Sequence, residues 1–547
     1  MRKRFGIILI VVSISTAAFL GGFWNDDETV SADTASDNRE FLRTFTEVLD
    51  TVESNYVGDV TFEDLVESGI RGMLRTLDPH SSFFSGRDFN QLQEEQKGKY
   101  FGLGITIRSE TPGSGRVVIV EPPAPGTPAY KSGLRAGDVI AEIEGVPIDD
   151  WDMNTEVIPN LKGPKGTVVN ITVHRPGEDA PLYFAVERDA ISIYTIKFAF
   201  NLTPDTGYIR IIRFAETTGE ELDEALQSID EDNLKLLILD LRDNPGGALS
   251  QALEVSDRFL DKDQIIVRTR SRTGREDRDY KALRSQKNQY AMIVMINQSS
   301  ASASEIVAGA LQDHDRALVV GETSFGKALV QTLFPLEGGR GLALTTGKYY
   351  TPSNRLIQRD YSEGYWNYFA NNNEVDDSNG EKKTYFTDSG RIVYGGGGIN
   401  PDVTIEVDRF GQAVSRIQAL RLPREFASQV FSGEMPSILG QKISKEELKT
   451  ASEARKEEVA KQIEIDEDLM QKFREFVNSR SISLSDEEWE GNDIVLKNLL
   501  RQELLLLFVG EEASYKVALE LDNQLKGAIA RRAEAQELME RQVKGKL

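Results

Sequence analysis

One stretch of the 547-residue sequence has residue types and spacing that could do chemistry, from Ala291 to Gln331. It reads as a strand (AMIVMIN), a Ser/Ala-rich turn (QSSASAS), a helix (EIVAGALQDH), a strand (RALVVGE) and then TSFGKALVQ. Ser302 sits where the helix begins. His314 lies at the far end of that helix, about 18 Å away at roughly 1.5 Å per residue, too far to act as a base for Ser302. The next strand runs back at about 3.3 Å per residue and returns Glu322 to Lys327 to the starting edge. Lys327 is the first basic side chain delivered there, 25 positions after Ser302. Gln331 follows at i+4, on the same side of either a helix or a strand.

This arrangement suits acyl transfer. The Ser302 hydroxyl attacks a carbonyl, and a neutral Lys327 takes its proton and returns it to the leaving group. A lysine has to drop from about 10.4 to near neutrality for this, a cost of about 4 kcal/mol. Apolar neighbours (Phe325, Ala328, Leu329, Val330) help through desolvation, while the acidic chain as a whole opposes it. A second loop, Arg242-Asp243-Asn244-Pro245-Gly246-Gly247, ends an apolar strand and should reach the same edge. Its paired glycines leave backbone N–H groups bare. One from Gly246 or Gly247, with that of Ala303 at the helix start, would make an oxyanion hole. Each feature also has a plain structural reading. Ser302-Ala-Ser-Glu305 fits a helix capping box, Pro245-Gly246-Gly247 fits a turn, and Lys327 fits a surface lysine. Their convergence on one sheet edge favours chemistry.

The elements that position these groups follow from patterning. Leu234–241 (LKLLILDL) and AMIVMI (291–296) are near-continuous apolar runs, as in strands buried on both faces. Each precedes a helical pattern. Residues 38–97 carry apolar side chains at three- and four-residue spacings (Phe41, Phe45, Leu49, Val52) and should be helical. From 98 to 188 short strands cut by Gly and Pro (104–107, 117–120, 139–144, 168–174), with one short helical stretch near 150–161, make a compact β-rich module. There Phe101-Gly102-Leu103-Gly104-Ile105 has the form of a carboxylate-binding loop leading into a strand whose edge can pair with an extended peptide. A β domain without a ligand fits the local pattern equally. Residues 189–435 form an α/β region interrupted by a polar insertion at 360–394 with no assignable structure, and 436–547 are helical and charge-rich.

Residues 1–24 begin Arg2-Lys3-Arg4 and continue uncharged from Phe5 to Trp24, which suits a cleaved export signal and a retained membrane anchor alike. Residues 25–37 read as an acidic tether. Lys+Arg number 64 against Asp+Glu 88, a net charge of −24 that argues against a nucleic-acid partner. There is no cysteine, and the only histidines are His80, His174 and His314, so disulfides, thiol chemistry and a His-rich metal site are not expected. Gly395–398 lacks the Lys-Ser/Thr of a phosphate loop. Tyr349-Tyr350-Thr351-Pro352-Ser353 either lines the cleft or forms a turn.

Residues 301–331 (ASASEIVAGALQDHDRALVVGETSFGKALVQ) resemble the catalytic block of the carboxyl-terminal processing peptidases, or tail-specific proteases. LRDNPGG (241–247), YYTPSNRLIQ (349–358), GGGGINPDV (395–403) and the PDZ signatures YFGLGI and GLRAGDVI resemble them too. The resemblance spans about residues 40–410. It implies a Ser302/Lys327 dyad with Gln331 orienting the lysine, and oxyanion amides at Ala303 and Gly247, with Gly246 not excluded. It implies a crotonase/ClpP-like αββ core, an inserted PDZ domain that binds substrate tails and gates the site, and no cofactor or metal. The insertion and the helical tail depart from the family pattern.

The expectation is an α/β multidomain serine endopeptidase that recognises free apolar C-terminal tails of exported proteins through Phe101–Ile105 and cleaves with Ser302 and Lys327. It would act in the bacterial periplasm or on the outer face of the cytoplasmic membrane, membrane-bound if the N-terminal segment is uncleaved. An adaptor protein and a homo-oligomer built through the helical regions are left open. The rivals are a non-hydrolytic PDZ scaffold and an acyl-CoA enzyme of crotonase type, which would need basic phosphate contacts.

Overall fold

The computed structural model describes residues 32–109, 116–285, 290–362, 364–370, 383–432, 453–480, 482 and 484–544. The expected export segment and most of the tether lie outside them. Among the described residues no helix is long and apolar enough to cross a membrane. The chain divides into two compact units, one ending at Phe83 and one beginning at Phe84. The first contains the helices Ala32–Asn55 and Phe62–Arg75. The first of these starts inside the stretch read as a tether, because nothing in Ala32-Asp33-Thr34-Ala35 breaks a helix. Thr61 caps the second, its side chain accepting from Asp64 N–H.

At the centre of the second unit is a six-stranded sheet in the order Ile196–Thr203, Thr206–Ile211, Leu236–Asp240, Ala291–Ile296, Leu318–Gly321, Val403–Thr404. The first pair is antiparallel and all later pairs are parallel. The strand expected at 234–241 is shorter than its apolar run, and the one at 291–296 has the expected bounds. Both are buried on two faces. Leu237, Leu239, Met292 and Val294 pack with Leu226, Val255, Phe259, Val307 and Leu311 from the helices Thr218–Ser228, Leu249–Phe259 and Ala303–Asp313. Leu236, Ile238, Ile293 and Met295 face the other way, onto Leu519, Leu525, Ala528, Ala535 and Leu538 of the C-terminal helices. Each buried Leu, Ile or Met among these contributes about 1.5–3 kcal/mol, so the tail is an integral layer of the core. A second core joins the helices Gln412–Ala419, Leu422–Ser432, Glu467–Ser479 and Asp493–Phe508. The helix Asn523–Ala530 begins after Asp522, its N-cap.

The β-rich module forms a sheet in the order Ile107–Ser109, Val117–Ile119, Val139–Ile143, Val168–His174, Leu182–Glu187. It carries two short helical stretches rather than one: Pro128–Ser132, and a π-turn at Met153–Val157 running into Ile158–Leu161. The strand expected at 104–107 lies later. Lys99–Gly102 finds a partner in Asp189–Ser192, so the loop falls at 103–106 and the next strand starts at Ile107. The unassigned insertion holds the helix Tyr365–Ala370 and a hairpin, Thr384–Phe386 with Ile392–Tyr394.

Candidate active site

Parallel strands deliver their C-terminal ends to one edge, and two turns meet there. The 291–296 strand leads through Asn297–Ala301 to Ser302, and the 236–240 strand leads to residues 241–247. Ala301 N–H and the Ser304 hydroxyl both donate to the Asn244 carbonyl oxygen, at 3.0 Å each. The Ser300 hydroxyl accepts from Asn297 N–H at 2.9 Å and donates to the Leu241 carbonyl oxygen at 2.8 Å. Ser302 itself has φ 55° and ψ −111°, a conformation that costs a non-glycine residue about 1–3 kcal/mol. Nothing in the residue pattern around Ser302 signals this strain.

Gly246 closes against that turn. A Cβ there would lie 2.7 Å from the Ala301 oxygen and 2.8 Å from both Ala303 N and Ser302 Cβ. Its N–H donates to Asn244 Oδ1 at 2.9 Å. Among the described residues the Gly247 and Ala303 N–H groups meet no acceptor. Gly247 cannot carry a side chain either, since a Cβ would sit 1.9 Å from the Phe214 oxygen.

The returning strand pairs Ile296 with Gly321, which brings residues 322–327 to the same edge. The tie between them and the Ser302 turn is Glu305. This fully buried side chain accepts from Ser302 N–H at 2.8 Å and Lys327 N–H at 2.9 Å on one oxygen. Its other oxygen accepts from Gly326 N–H at 2.7 Å and the Ser324 hydroxyl at 2.5 Å. Burial pushes the carboxyl up to about 7, and the hydrogen bonds limit the rise. The capping-box spacing was legible in the sequence. That the same carboxylate also holds residues 324–327 was not, because it depends on the return strand.

Tyr349, expected to line the cleft or form a turn, is buried, and its hydroxyl lies against the carbonyl oxygens of Ser302, at 3.1 Å, and Lys327. Burial holds its phenol well above the ordinary value, so it stays a donor. The Lys327 amine donates to Gln331 Oε1 at 2.9 Å. Among the described residues no hydrogen bond joins that amine to the Ser302 hydroxyl. The glycine-rich run at 395–398 braces the lysine loop. Ile399 N–H donates to the Ser324 hydroxyl at 2.7 Å, and a Cβ on Gly398 would lie 2.4 Å from the Ser324 oxygen. His314 stands at the far end of its helix, its ring nitrogens 2.7 Å from Asp388 Oδ2 and 2.8 Å from the Ile265 oxygen. Among the described residues no group of three or more His, Asp or Glu side chains could hold a metal.

In the β-rich module, Phe101 and Gly102 are strand residues paired with Ala190 and Asp189, not loop residues as expected. Leu103, Gly104 and Ile105 do form the loop. Leu103 is buried, and its oxygen accepts from Ala129 N–H at 2.9 Å. Among the described residues the N–H groups of Leu103, Gly104 and Ile105 meet no acceptor. The strand that follows, Ile107–Ser109, is at the end of its sheet.

Residues 205–363 match peptidase family S41 and residues 91–174 match the PDZ domain. A carboxy-terminal-processing protease of Bartonella bacilliformis is 40% identical over 336 residues, covering 60% of this chain and 76% of that protein. The carboxy-terminal processing protease CtpB of Bacillus subtilis is 35% identical over 312 residues, 56% of this chain and 64% of that one. A solved photosystem II D1 C-terminal processing protease is 25% identical with a TM-score of 0.34, covering 66% of this chain and 92% of that chain. With an α/β core, a PDZ domain and a sheet edge where a serine turn meets a lysine loop, the chain belongs to the carboxy-terminal processing proteases, serine-type peptidases of family S41.

Proposed function

We propose that this peptidase cleaves exported proteins after capturing their apolar C-terminal tails, with Ser302 as nucleophile and Lys327 as general base. The observation that carries the reading is the single Glu305 oxygen shared by the Ser302 and Lys327 amides, which fixes the two backbones side by side. The Ser302 hydroxyl passes its proton to a neutral Lys327 Nζ as the Oγ–C bond forms. The resulting ammonium returns the proton to the leaving amine as the C–N bond breaks. Water then repeats the cycle on the acyl-enzyme. Gln331 holds the amine between turns of this cycle. The Gly247 and Ala303 N–H groups stabilise the oxyanion, and Gly247 is favoured over Gly246 because the Gly246 N–H is already committed to Asn244.

The three bare N–H groups at Leu103–Ile105 suit a terminal carboxylate, and the open edge of Ile107–Ser109 suits the extended chain behind it. The basic start and apolar run of residues 2–24 support export to the periplasm or the outer face of the cytoplasmic membrane. We read the core as of the crotonase/ClpP type, on the parallel order of its strands and the helices beside them. The test is to incubate wild type and Ser302→Ala with an unfolded protein ending in an apolar tail and to map the products by mass. Cleavage by wild type alone is expected. Equal cleavage by Ser302→Ala would discard the dyad.

A further inference from the structure

The C-terminal helices reach a charged cluster directly behind the 243–247 turn. Arg242, almost fully buried, is gripped from two sides. Asp240 receives its Nε at 3.0 Å and its Nη2 at 2.7 Å. On the opposite side Asp522 Oδ2 receives Nη2 at 2.6 Å, Asp522 Oδ1 receives Nη1 at 3.1 Å, and Gln524 Oε1 receives Nη1 at 3.0 Å. Asp240 is itself fully buried and also accepts from the Tyr208 hydroxyl at 2.7 Å.

A second strand of contacts runs parallel to this one. The Tyr515 hydroxyl lies 2.8 Å from that of Tyr208 and accepts from Arg210 Nη1 at 2.7 Å, while its ring stacks on Phe198 at 3.8 Å. The other end of the same guanidinium, Arg210 Nη2, donates to Asp243 Oδ2 at 3.1 Å. Asp243 has φ 59°, a position that few non-glycine residues hold without support. Its N–H donates to Asn297 Oδ1 at 2.9 Å, and Asn297 Nδ2 donates back to Asp243 Oδ1 at 2.8 Å. Asn297 opens the turn that ends at Ser302. An unbroken set of hydrogen bonds therefore links Asp522 and Tyr515 to both turns of the site.

We infer that Asp522 is a positioning residue for the peptidase reaction, acting through Arg242 to hold the 243–247 turn so that the Gly247 N–H points at the reacting carbonyl. This rests on the oxyanion role proposed above for Gly247. Charge supports it. The cluster buries two guanidinium groups, Arg210 and Arg242, against three carboxylates, Asp240, Asp243 and Asp522. Without Asp522 the outer face of Arg242 is left with a neutral amide alone, and a poorly paired buried cation recruits water or moves. Either response shifts the turn that begins at the next residue. Small displacements of an oxyanion donor lower turnover while leaving substrate binding alone.

Asp522 also caps the helix Asn523–Ala530 by accepting from Leu525 N–H. Asp522→Asn keeps a good cap, removes the charge and turns the oxygen that accepts from Arg242 Nη2 into an amide donor, and Tyr515→Phe keeps the stack on Phe198 and removes only the hydroxyl. Both full-length variants are assayed for kcat and KM on an unfolded, apolar-tailed polypeptide and for thermal melting, beside Asp522→Glu and Ser302→Ala. The expected result is a kcat about tenfold lower for Asp522→Asn and about threefold lower for Tyr515→Phe, with KM within twofold of wild type and partial recovery in Asp522→Glu. Wild-type kcat in Asp522→Asn and Tyr515→Phe, with or without a lower melting temperature, overturns the inference, as does a rise in KM at unchanged kcat. If Asp522→Asn does not fold, Tyr515→Phe decides by the same criteria. Activity surviving in Ser302→Ala would instead strike at the dyad and at the oxyanion role of the 243–247 turn, so the two failures read differently.

Discussion

The Ser302 turn and the 103–105 loop both present backbone N–H groups that meet no acceptor among the described residues, yet they are held in different ways. Around Ser302 every flank is fixed. Glu305 takes four donors, Gly246 leaves no room for a methyl group, and Asn244 holds Ala301 and Ser304. The 103–105 loop is tied by the Ala129 N–H on the Leu103 oxygen and by the close approach of Gly104 to Thr127. The contrast teaches what each chemistry needs. A transition state gains from donors already in place before charge develops. A tail held along a strand edge gains most of its hold from many backbone hydrogen bonds, so its loop tolerates adjustment.

The most severe way to probe the contrast is to remove the proposed nucleophile and base. Ser302→Ala and Lys327→Ala should each lower kcat by about 10⁴-fold or more while binding of a tailed peptide to the PDZ domain, followed by fluorescence polarisation, stays at the wild-type level. Loss of binding in both would show that the two regions are not separable. Gly246→Ala should come next, with kcat down about 10²-fold, because its methyl group meets Ala301, Ser302 and Ala303 at 2.7–2.8 Å from a backbone at φ +96°. Wild-type turnover there would mean the fit is loose.

Glu305→Gln places an amide –NH₂ among donors and leaves a buried N–H unsatisfied. Denaturant unfolding should show a loss of about 2–3 kcal/mol. It should also flatten a pH dependence. In the folded wild type the carboxyl keeps its proton up to about pH 7, whereas it ordinarily ionises near 4.5. This contribution to stability is therefore complete below pH 4.5 and is lost as pH rises through about 7, a change of about 3 kcal/mol. A wild-type slope retained in Glu305→Gln would place its origin elsewhere. The mildest change belongs to the other region. Gly104→Ala sets a methyl group 2.7 Å from Thr127 Cβ at φ +75°. It should raise KM for tailed substrates about tenfold and leave kcat within twofold. A fall in kcat at constant KM would assign the loop to gating instead.

Much of the sheet was readable from local pattern, because the runs at 236–240 and 291–296 are apolar on both faces and only a doubly covered strand needs that. The PDZ loop was readable to within two residues. It slipped because Lys99–Gly102 pairs with Asp189–Ser192, a partner almost ninety positions away that no local window contains. The tail was readable as helical but not as a layer of the core, since its mixed charges hide the narrow stripe of Leu519, Leu525, Ala528 and Leu538 that covers the sheet. Tyr349 and Glu305 carried signals that a turn or a cap explains equally well.

What the sequence determined by itself is the set of groups at the sheet edge. Helix rise and strand length over so short a stretch lead the chain back toward Ser302, and the parallel pairing of 293–296 with 318–321 returns the backbone of residues 322–327 to that edge. Only the tertiary structure decided their surroundings: a carboxyl buried deeply enough to hold a proton near neutrality, and an arginine gripped by an aspartate 280 positions away. Desolvation and ion pairing depend on what packs in three dimensions, and chain spacing does not encode them.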